Sequence, residues 1–185
     1  MSEARKPELT KQVAEATGVD VAKCYQCGKC TAGCPMARHM DLSPNQVMRL
    51  VQIGDKASAE ELLRSTALWC CAGCLTCTQR CPRELDPAAV MDALREMAWT
   101  QGLAPARARK IRAFHEAFLK TVEFGGRMGE VPLVARYKLM SGDLFSDVPL
   151  APRMLAKGKL PLRPHMIRGR SEVKKIFAAC RGRKS

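Results

Sequence analysis

Apolar residues in this chain recur at helical spacing, and the polar residues between them punctuate where helices start and stop. Ser43-Pro44-Asn45-Gln46 reads as an N-cap, a proline at N1 and a glutamine closing a capping box, followed by Val47, Leu50 and Val51 on one face and Gly54 as the stop. Ser58 with Glu61 repeats that signal ahead of Leu62 and Leu63. A third helix opens at Asp86-Pro87, carries Val90, Leu94, Met97 and Ala98 on one stripe, and ends near Gly102. Behind Pro105, the spacing of Ile111, Phe114 and Phe118 marks a longer helix that Gly125-Gly126 stops. Shorter helices are expected from Pro132 to Met140 and from Pro149 to Lys157. The prolines of GKLPLRPH favour extended chain, before Ser171 starts a last turn or two carrying Val173, Ile176 and Phe177. No strand alternation interrupts this series, so the expected fold class is all-α.

Two stretches break the helical pattern: CYQCGKCTAGCP, from Cys24 to Pro35, and CAGCLTCTQRCP, from Cys71 to Pro82. Three cysteines at C-x2-C-x2-C cannot share one helical face. They make a tight loop that wraps three thiolates around a cube-like inorganic cluster and leaves one iron corner open. In the bacterial two-cluster pattern, the cysteine before proline supplies the corner of the other cluster. The expectation is therefore two [4Fe-4S] clusters with crossed ligation: Cys24, Cys27 and Cys30 with Cys81, and Cys71, Cys74 and Cys77 with Cys34. Gly28, Thr31, Ala32 and Gly33 in the first loop, and Ala72, Gly73 and Thr76 in the second, let the backbone approach and aim N–H groups at cluster sulfurs. Pro35 and Pro82 turn the chain away. Zinc also accepts paired C-x2-C knuckles, but it has no use for a third cysteine two residues on and a fourth before proline, twice over. A thioredoxin-type redox C-x2-C lacks the βαβ pattern that would surround it.

Composition narrows the setting. Aromatics are only 5% of the 185 residues, so the core leans on Leu, Val, Ala and ten Met. Ten cysteines in a short secreted chain would mean a disulfide scaffold, but MSEARKPELTKQ is polar and has no apolar signal core. The expectation is a reducing cytoplasm, where grouped cysteines bind metal. No apolar run reaches membrane-spanning length, so no direct membrane insertion is expected, and any membrane association would come through a complex. Residues 1–103 carry 12 Lys+Arg against 12 Asp+Glu, whereas residues 104–185 carry 19 against 6, so the whole excess of +13 lies in the latter. Such asymmetry points to an acidic partner or to a solvated face kept soluble by charge. The basic residues lack interleaved aromatics for base stacking and no reading helix is apparent, which argues against nucleic acid.

Catalytic machinery is not expected within this chain: there is no Ser-His-Asp order and no Gly-rich phosphate loop, and His39, His115 and His165 are scattered. Cys70 and Cys180 fall outside the eight and read as free, buried thiols. Arg38, His39, Arg80 and Arg83 flank the loops, where they either raise the cluster potentials or are simply solvated. Trp69 reads as packing.

Simple bacterial ferredoxins are shorter, with their motifs closer together. Here residues 35–70 separate Cys34 from Cys71 and read as two capped helices. That spacing resembles the helical dicluster domain of iron-sulfur subunits in succinate dehydrogenase-like enzymes, anaerobic glycerol-3-phosphate dehydrogenases and heterodisulfide reductases. Through CYQCGKCTAGCP, WCCAGCLTCTQRCP and the closing GKLPLRPHMIRGRSEVKKIF, the chain is most similar to the family of heterodisulfide reductase C subunits. The resemblance implies an α-helical ferredoxin-like dicluster domain at 23–103, preceded by an N-terminal segment at 1–22 and followed by a basic helical docking region at 104–185. It implies an electron relay between a flavin-bearing A subunit and a catalytic, disulfide-reducing B subunit whose CCG repeats are absent here. The alternative is the iron-sulfur subunit of another flavin dehydrogenase complex, succinate- or glycerol-3-phosphate-dehydrogenase-like. In the docking region, Arg107, Arg109, Lys110 and Arg112 would supply charge and Ile176 and Phe177 apolar anchors for the partner subunits.

Overall fold

The computed structural model describes residues 8–142, 151–158 and 166–182, and among them every regular element is helical. The chain forms two compact units, Met1–Ala108 and Arg109–Ser185. Among the described residues no helix is long and apolar enough to cross a membrane.

The first unit begins with α1, Glu8–Thr17, in the stretch treated above only as an N-terminal segment. Leu9, Thr10 and Val13 are its buried face, and the Thr10 hydroxyl donates to the carbonyl of Val51 at 2.6 Å, fastening α1 to the core. A 3-10 turn, Val21–Lys23, then leads into the first cysteine loop, whose middle winds into α2, Lys29–Ala32. After a second 3-10 turn, Ala37–His39, comes α3, Pro44–Ile53, with Ser43 as its N-cap and Gly54 as its left-handed stop. The Ser43 N–H donates to Gln46 Oε1 at 2.8 Å, so the backward arm of the expected capping box is in place.

Helix α4 spans Lys56–Leu63 and corrects one expectation. Ser58 is not the cap: Asp55 is, accepting from the Ser58 N–H at 2.7 Å. Aspartate caps as well as serine does and adds a negative charge at the positive end of the helix, so the helix starts one turn earlier than expected. Next come α5, Ala67–Cys70, then α6, Thr76–Gln79, inside the second cysteine loop, and α7, Pro87–Thr100, capped by Asp86. Val90, Leu94 and Ala98 are buried as expected, joined by Met91, while Met97 is half-exposed. Helix α7 is the central post, packing against α1, α3, α4, α5 and α6. Trp69 of α5 is buried against Trp99 of α7, ring centroids 6.1 Å apart, which is the packing role expected of it.

The second unit holds α8, Arg109–Gly125, α9, Glu130–Ser141, α10, Ala151–Ala156, and α11, Arg170–Gly182. Its longest helix also corrects the sequence reading. The buried face of α8 is Ala113, Ala117, Thr121 and Gly125, whereas Phe114 and Phe118 remain 46% and 37% exposed and Ile111 is half-buried. Small residues at every fourth position let another helix approach closely, and α8 packs against α9; periodicity alone cannot tell that stripe from the aromatic one. Phe114 meets Tyr137 of α9 edge-on at 6.0 Å. Helix α9 starts two residues before Pro132, which the first turn tolerates because its N–H groups have no intrahelical acceptor. The closing helix α11 runs longer than the expected turn or two, and Cys180 is exposed on it rather than buried. Pro149 and all but the first residue of the extended segment expected at 158–165, His165 included, lie outside the described residues, and Gly158 itself is in a turn.

One carboxylate ties the first loop's exit to the second loop's entry. Asp41 accepts from the Ser65 hydroxyl at 2.6 Å and from the backbone N–H groups of Thr66 and Ala67, each at 2.8 Å. Desolvation works to raise its pKa, but these donors together outweigh it and hold the carboxyl below the usual range. A depressed pKa contributes stability that is present above the unfolded value and lost as pH falls through the folded one. Asp41→Asn should therefore lower stability at pH 7 by about 1 kcal/mol, the side chain being exposed and its charge screened. The gap from wild type should close as pH drops below about 4. Urea unfolding followed by helical circular dichroism under argon measures both; a gap that stays constant across pH would show that shape, not charge, matters at this site.

Candidate iron-sulfur centres

The two cysteine loops are built to one plan. In each, the second and fourth residues after the first cysteine adopt left-handed conformations: Gln26 (φ 62°) and Gly28 (φ 75°) in the first, Gly73 (φ 61°) and Leu75 (φ 59°) in the second. Glycine relieves one of the two positions in each loop, but not the same one. This double reversal folds three cysteines around a common space, after which α2 or α6 carries the chain one turn onward to the fourth.

The residue following each third cysteine then anchors the loop to the next long helix. Thr31 Oγ1 donates to Asn45 Oδ1 at 2.5 Å and accepts from the Asn45 N–H at 3.0 Å, at the start of α3. Thr78 Oγ1 donates to Asp86 Oδ1 at 2.6 Å, and Asp86 caps α7 by accepting from the Ala89 N–H at 3.0 Å. The Thr78 hydroxyl is the main reason that the Asp86 carboxyl lies below its ordinary pKa. Glycine serves a different purpose at Gly33: an added Cβ would lie 2.7 Å from the Arg80 side chain, so the second loop's arginine lies directly on the first loop.

Two clefts result. One is lined by Cys24, Cys27, Cys30 and Cys81, with Met48, Leu85 and Pro87 among the apolar walls. The other is lined by Cys34, Cys71, Cys74 and Cys77, with Met36, Met40, Val47, Met48 and Met91. The fourth cysteine of each loop thus sits in the cleft formed by the first three of the other loop. The thiols surround a space rather than meeting at a point; among the described residues no group of three or more His, Cys, Asp or Glu side chains is arranged to hold a single metal ion. Burial pushes the Cys30 and Cys77 thiols up from their ordinary pKa, and these occupy equivalent places in the two loops. The exposed Cys74 thiol is lowered, chiefly by a hydrogen bond with Thr76. Four thiols per cleft with apolar walls is the donor set and setting that a [4Fe-4S] cube takes, one sulfur per iron.

The remaining predicted residues are dispersed. Cys70 is half-buried, its Sγ 3.8 Å from the His39 carbonyl, and lines neither of these two clefts. Arg107 and Lys110 are exposed, Arg112 is half-buried, and Arg109 donates to the Ser141 carbonyl at 2.9 Å. Ile176 is 62% exposed and Phe177 half-buried on α11. Sequence reasoning missed the supports of the loops: Asn45 and Asp86 behind the threonines, and two side chains, Gln52 and Arg95, that hold the loops' entry segments. Aligning the two halves on the prolines that open α3 and α7 would have paired Gln52 with Arg95, whereas Asn45 follows its proline and Asp86 precedes its own, so no alignment pairs those two.

Comparison with known proteins places this geometry. A family profile described as a 4Fe-4S dicluster domain matches residues 20–85, which take in both loops. The class is thereby defined: this is an iron-sulfur protein with a helical dicluster domain for two [4Fe-4S] clusters. Within that class the chain is similar to the C subunits of heterodisulfide reductases. It is 37% identical over 116 residues to the C subunit of the ferredoxin:CoB-CoM heterodisulfide reductase of Methanosarcina acetivorans, covering 63% of this chain and 40% of that protein. It is 35% identical over 108 residues to the iron-sulfur C subunit of the CoB–CoM heterodisulfide reductase of Methanopyrus kandleri, covering 58% and 55%. Against the C subunit of the H(2):CoB-CoM heterodisulfide,ferredoxin reductase of Methanothermobacter thermautotrophicus the figures are 34% over 100 residues, 54% and 52%. The chain spans about half the length of these relatives.

Leu75 makes the site testable apart from its ligands. A left-handed leucine costs about 1–2 kcal/mol relative to glycine, and at 52% exposure Leu75 recovers little of that by burial. It does, however, line the second cleft. Leu75→Gly should leave stability unchanged or raise it by up to about 1 kcal/mol, yet hasten bleaching of the brown chromophore in air because the cleft loses its cover. Melting temperature and visible absorbance decay measure the two effects; slower bleaching would contradict the covering role.

Proposed function

We propose that this chain is the electron-transfer subunit of a heterodisulfide reductase-like complex, relaying electrons between a flavin-bearing subunit and a disulfide-reducing subunit with CCG repeats. The observation that carries the reading is the exchange of fourth cysteines between the two clefts. On this reading Cys24, Cys27, Cys30 and Cys81 ligate one [4Fe-4S] cluster and Cys71, Cys74, Cys77 and Cys34 the other. The clusters supply one-electron storage when bound. The protein's own residues fix the loops: Thr31 and Thr78 anchor them, the methionine-rich walls limit water, and Met48, common to both clefts, stands between the two sites. The names of the relatives support an assembly with other subunits.

Residues 104–185 are the proposed docking region, their excess positive charge steering association with acidic partner surfaces. Arg107, Lys110 and Arg112 are its proposed charged contacts, and Ile176 and Phe177 its apolar anchors. Arg109, tied to the Ser141 carbonyl, contributes charge from a fixed position. Protein purified without oxygen should hold about eight irons and eight sulfides per chain, and affinity capture from its own cells should bring down a flavoprotein and a CCG-repeat protein. Stoichiometric zinc without iron, or capture of a succinate dehydrogenase-like flavoprotein in place of that pair, would refute the assignment. Truncation after Gly158 should leave the visible spectrum intact while weakening assembly, and full-length association should slow as salt rises; full-strength, salt-insensitive assembly of the shortened chain would remove the tail from the docking surface.

A further inference from the structure

The two cysteine loops are held at their entry by the same device, built from two different side chains. Gln52 and Arg95 occupy the same place in their helices, eight residues beyond the N1 proline, Pro44 in α3 and Pro87 in α7. Gln52 Nε2 donates to the carbonyls of Cys24 at 2.7 Å and Val21 at 2.9 Å. Arg95 donates from Nη2 to the carbonyl of Cys71 at 3.0 Å and from Nε to that of Leu68 at 2.6 Å. In both halves the acceptors are the first cysteine of the loop and the residue three before it. Position, acceptors and direction all repeat; only the charge of the donor differs.

That difference bears on electrons. The Arg95 guanidinium is always protonated, and its side chain is only 22% exposed. Its carboxylate partner, Asp92 at 3.0 Å, is 64% exposed and so neutralises it weakly. One-electron reduction adds a negative charge beside the Cys71 carbonyl without making or breaking a bond, and a cation there favours the reduced form. An amide in the same place supplies the hydrogen bonds without the charge. Other cations stand near the first loop, Lys29 along its cleft and Arg80 over Gly33, and form a fixed background against which Arg95 can be varied.

We infer that Gln52 and Arg95 are equivalent positioning residues that fix the first cysteine of each cluster loop, and that the charge of Arg95 raises the reduction potential of the second-loop cluster above what a neutral clamp would give. This rests on the crossed-cluster reading above. The duplicated cysteine spacing by itself would make the two sites alike; Arg95 adds to the site of Cys71, Cys74 and Cys77 a positive charge that Gln52 does not add to the other.

The test uses the full chain purified without oxygen, with iron analysis and a dithionite titration followed by electron paramagnetic resonance. Arg95→Gln, which installs the first half's own clamp, should keep its full iron content and lower one of the two midpoint potentials while leaving the other in place. Arg95→Ala and Gln52→Ala should each release one cluster's iron to a chelator roughly 10- to 100-fold faster than wild type, as loss of a supporting hydrogen bond to a metal ligand does. Unmoved potentials in iron-replete Arg95→Gln would overturn the electrostatic role, and wild-type release rates in both alanine variants the positioning role. Should Arg95→Gln shed iron, the positioning role is upheld and Arg95→Lys decides the rest: a wild-type potential supports the charge effect, a lowered one overturns it. A wild-type chain without iron would overturn the cluster reading itself, and the inference with it.

Discussion

The first unit depends on one reciprocal constraint: each cysteine loop must deliver its last thiol into the cleft made by the other. Neither cleft is complete alone, so the loops, although residues 35–70 lie between them, are structural halves of one object. The rest of the unit follows. α2 packs against α6, each loop is pinned by a threonine to the head of a long helix, and those helices, α3 and α7, pack on one another. Apolar burial supplies the driving force, with Val51, Val90 and Leu94 wholly inaccessible and Val47 nearly so. Hydrogen bonds at Thr31, Thr78, Gln52 and Arg95 supply the register that burial cannot, because they are directional and short-ranged.

Duplication with substitution runs through this design. Gly28 and Leu75 occupy one left-handed position, Gln26 and Gly73 the other; Asn45 and Asp86 receive equivalent threonines; Gln52 and Arg95 clamp equivalent carbonyls. The frame is the same in both halves while the charges are not. On the proposed relay reading, the shared frame would hold the two sites at a fixed separation and the unequal charges would separate their potentials.

Much of this was legible in the sequence, for physical reasons that differ from place to place. The cysteine spacing declared the loops because three thiols in seven residues can do little else than wrap a cluster, and Pro44 and Asp86-Pro87 declared α3 and α7 because proline at N1 and a polar cap have few other uses. The sequence was silent or misleading where two readings satisfy the same period. In α8 the aromatic stripe and the small-residue stripe both repeat every fourth residue, and the small one is buried. Asp55 displaced Ser58 as a cap because both fit the local pattern. The exposure of Cys180 depends on which face of α11 meets α8, which no local signal encodes.

The measurement that tests the central claim most directly is a map of freed thiols in the Cys34→Ser chain, obtained by brief alkylation without oxygen and peptide mass spectrometry. Beyond Cys70 and Cys180, which are not ligands and react in the unaltered chain as well, reciprocal delivery predicts that the newly modified cysteines are Cys71, Cys74 and Cys77, with Cys24, Cys27, Cys30 and Cys81 protected by an intact cluster. Modification of Cys24, Cys27 and Cys30 instead would show that each loop serves its own cluster and would contradict the account.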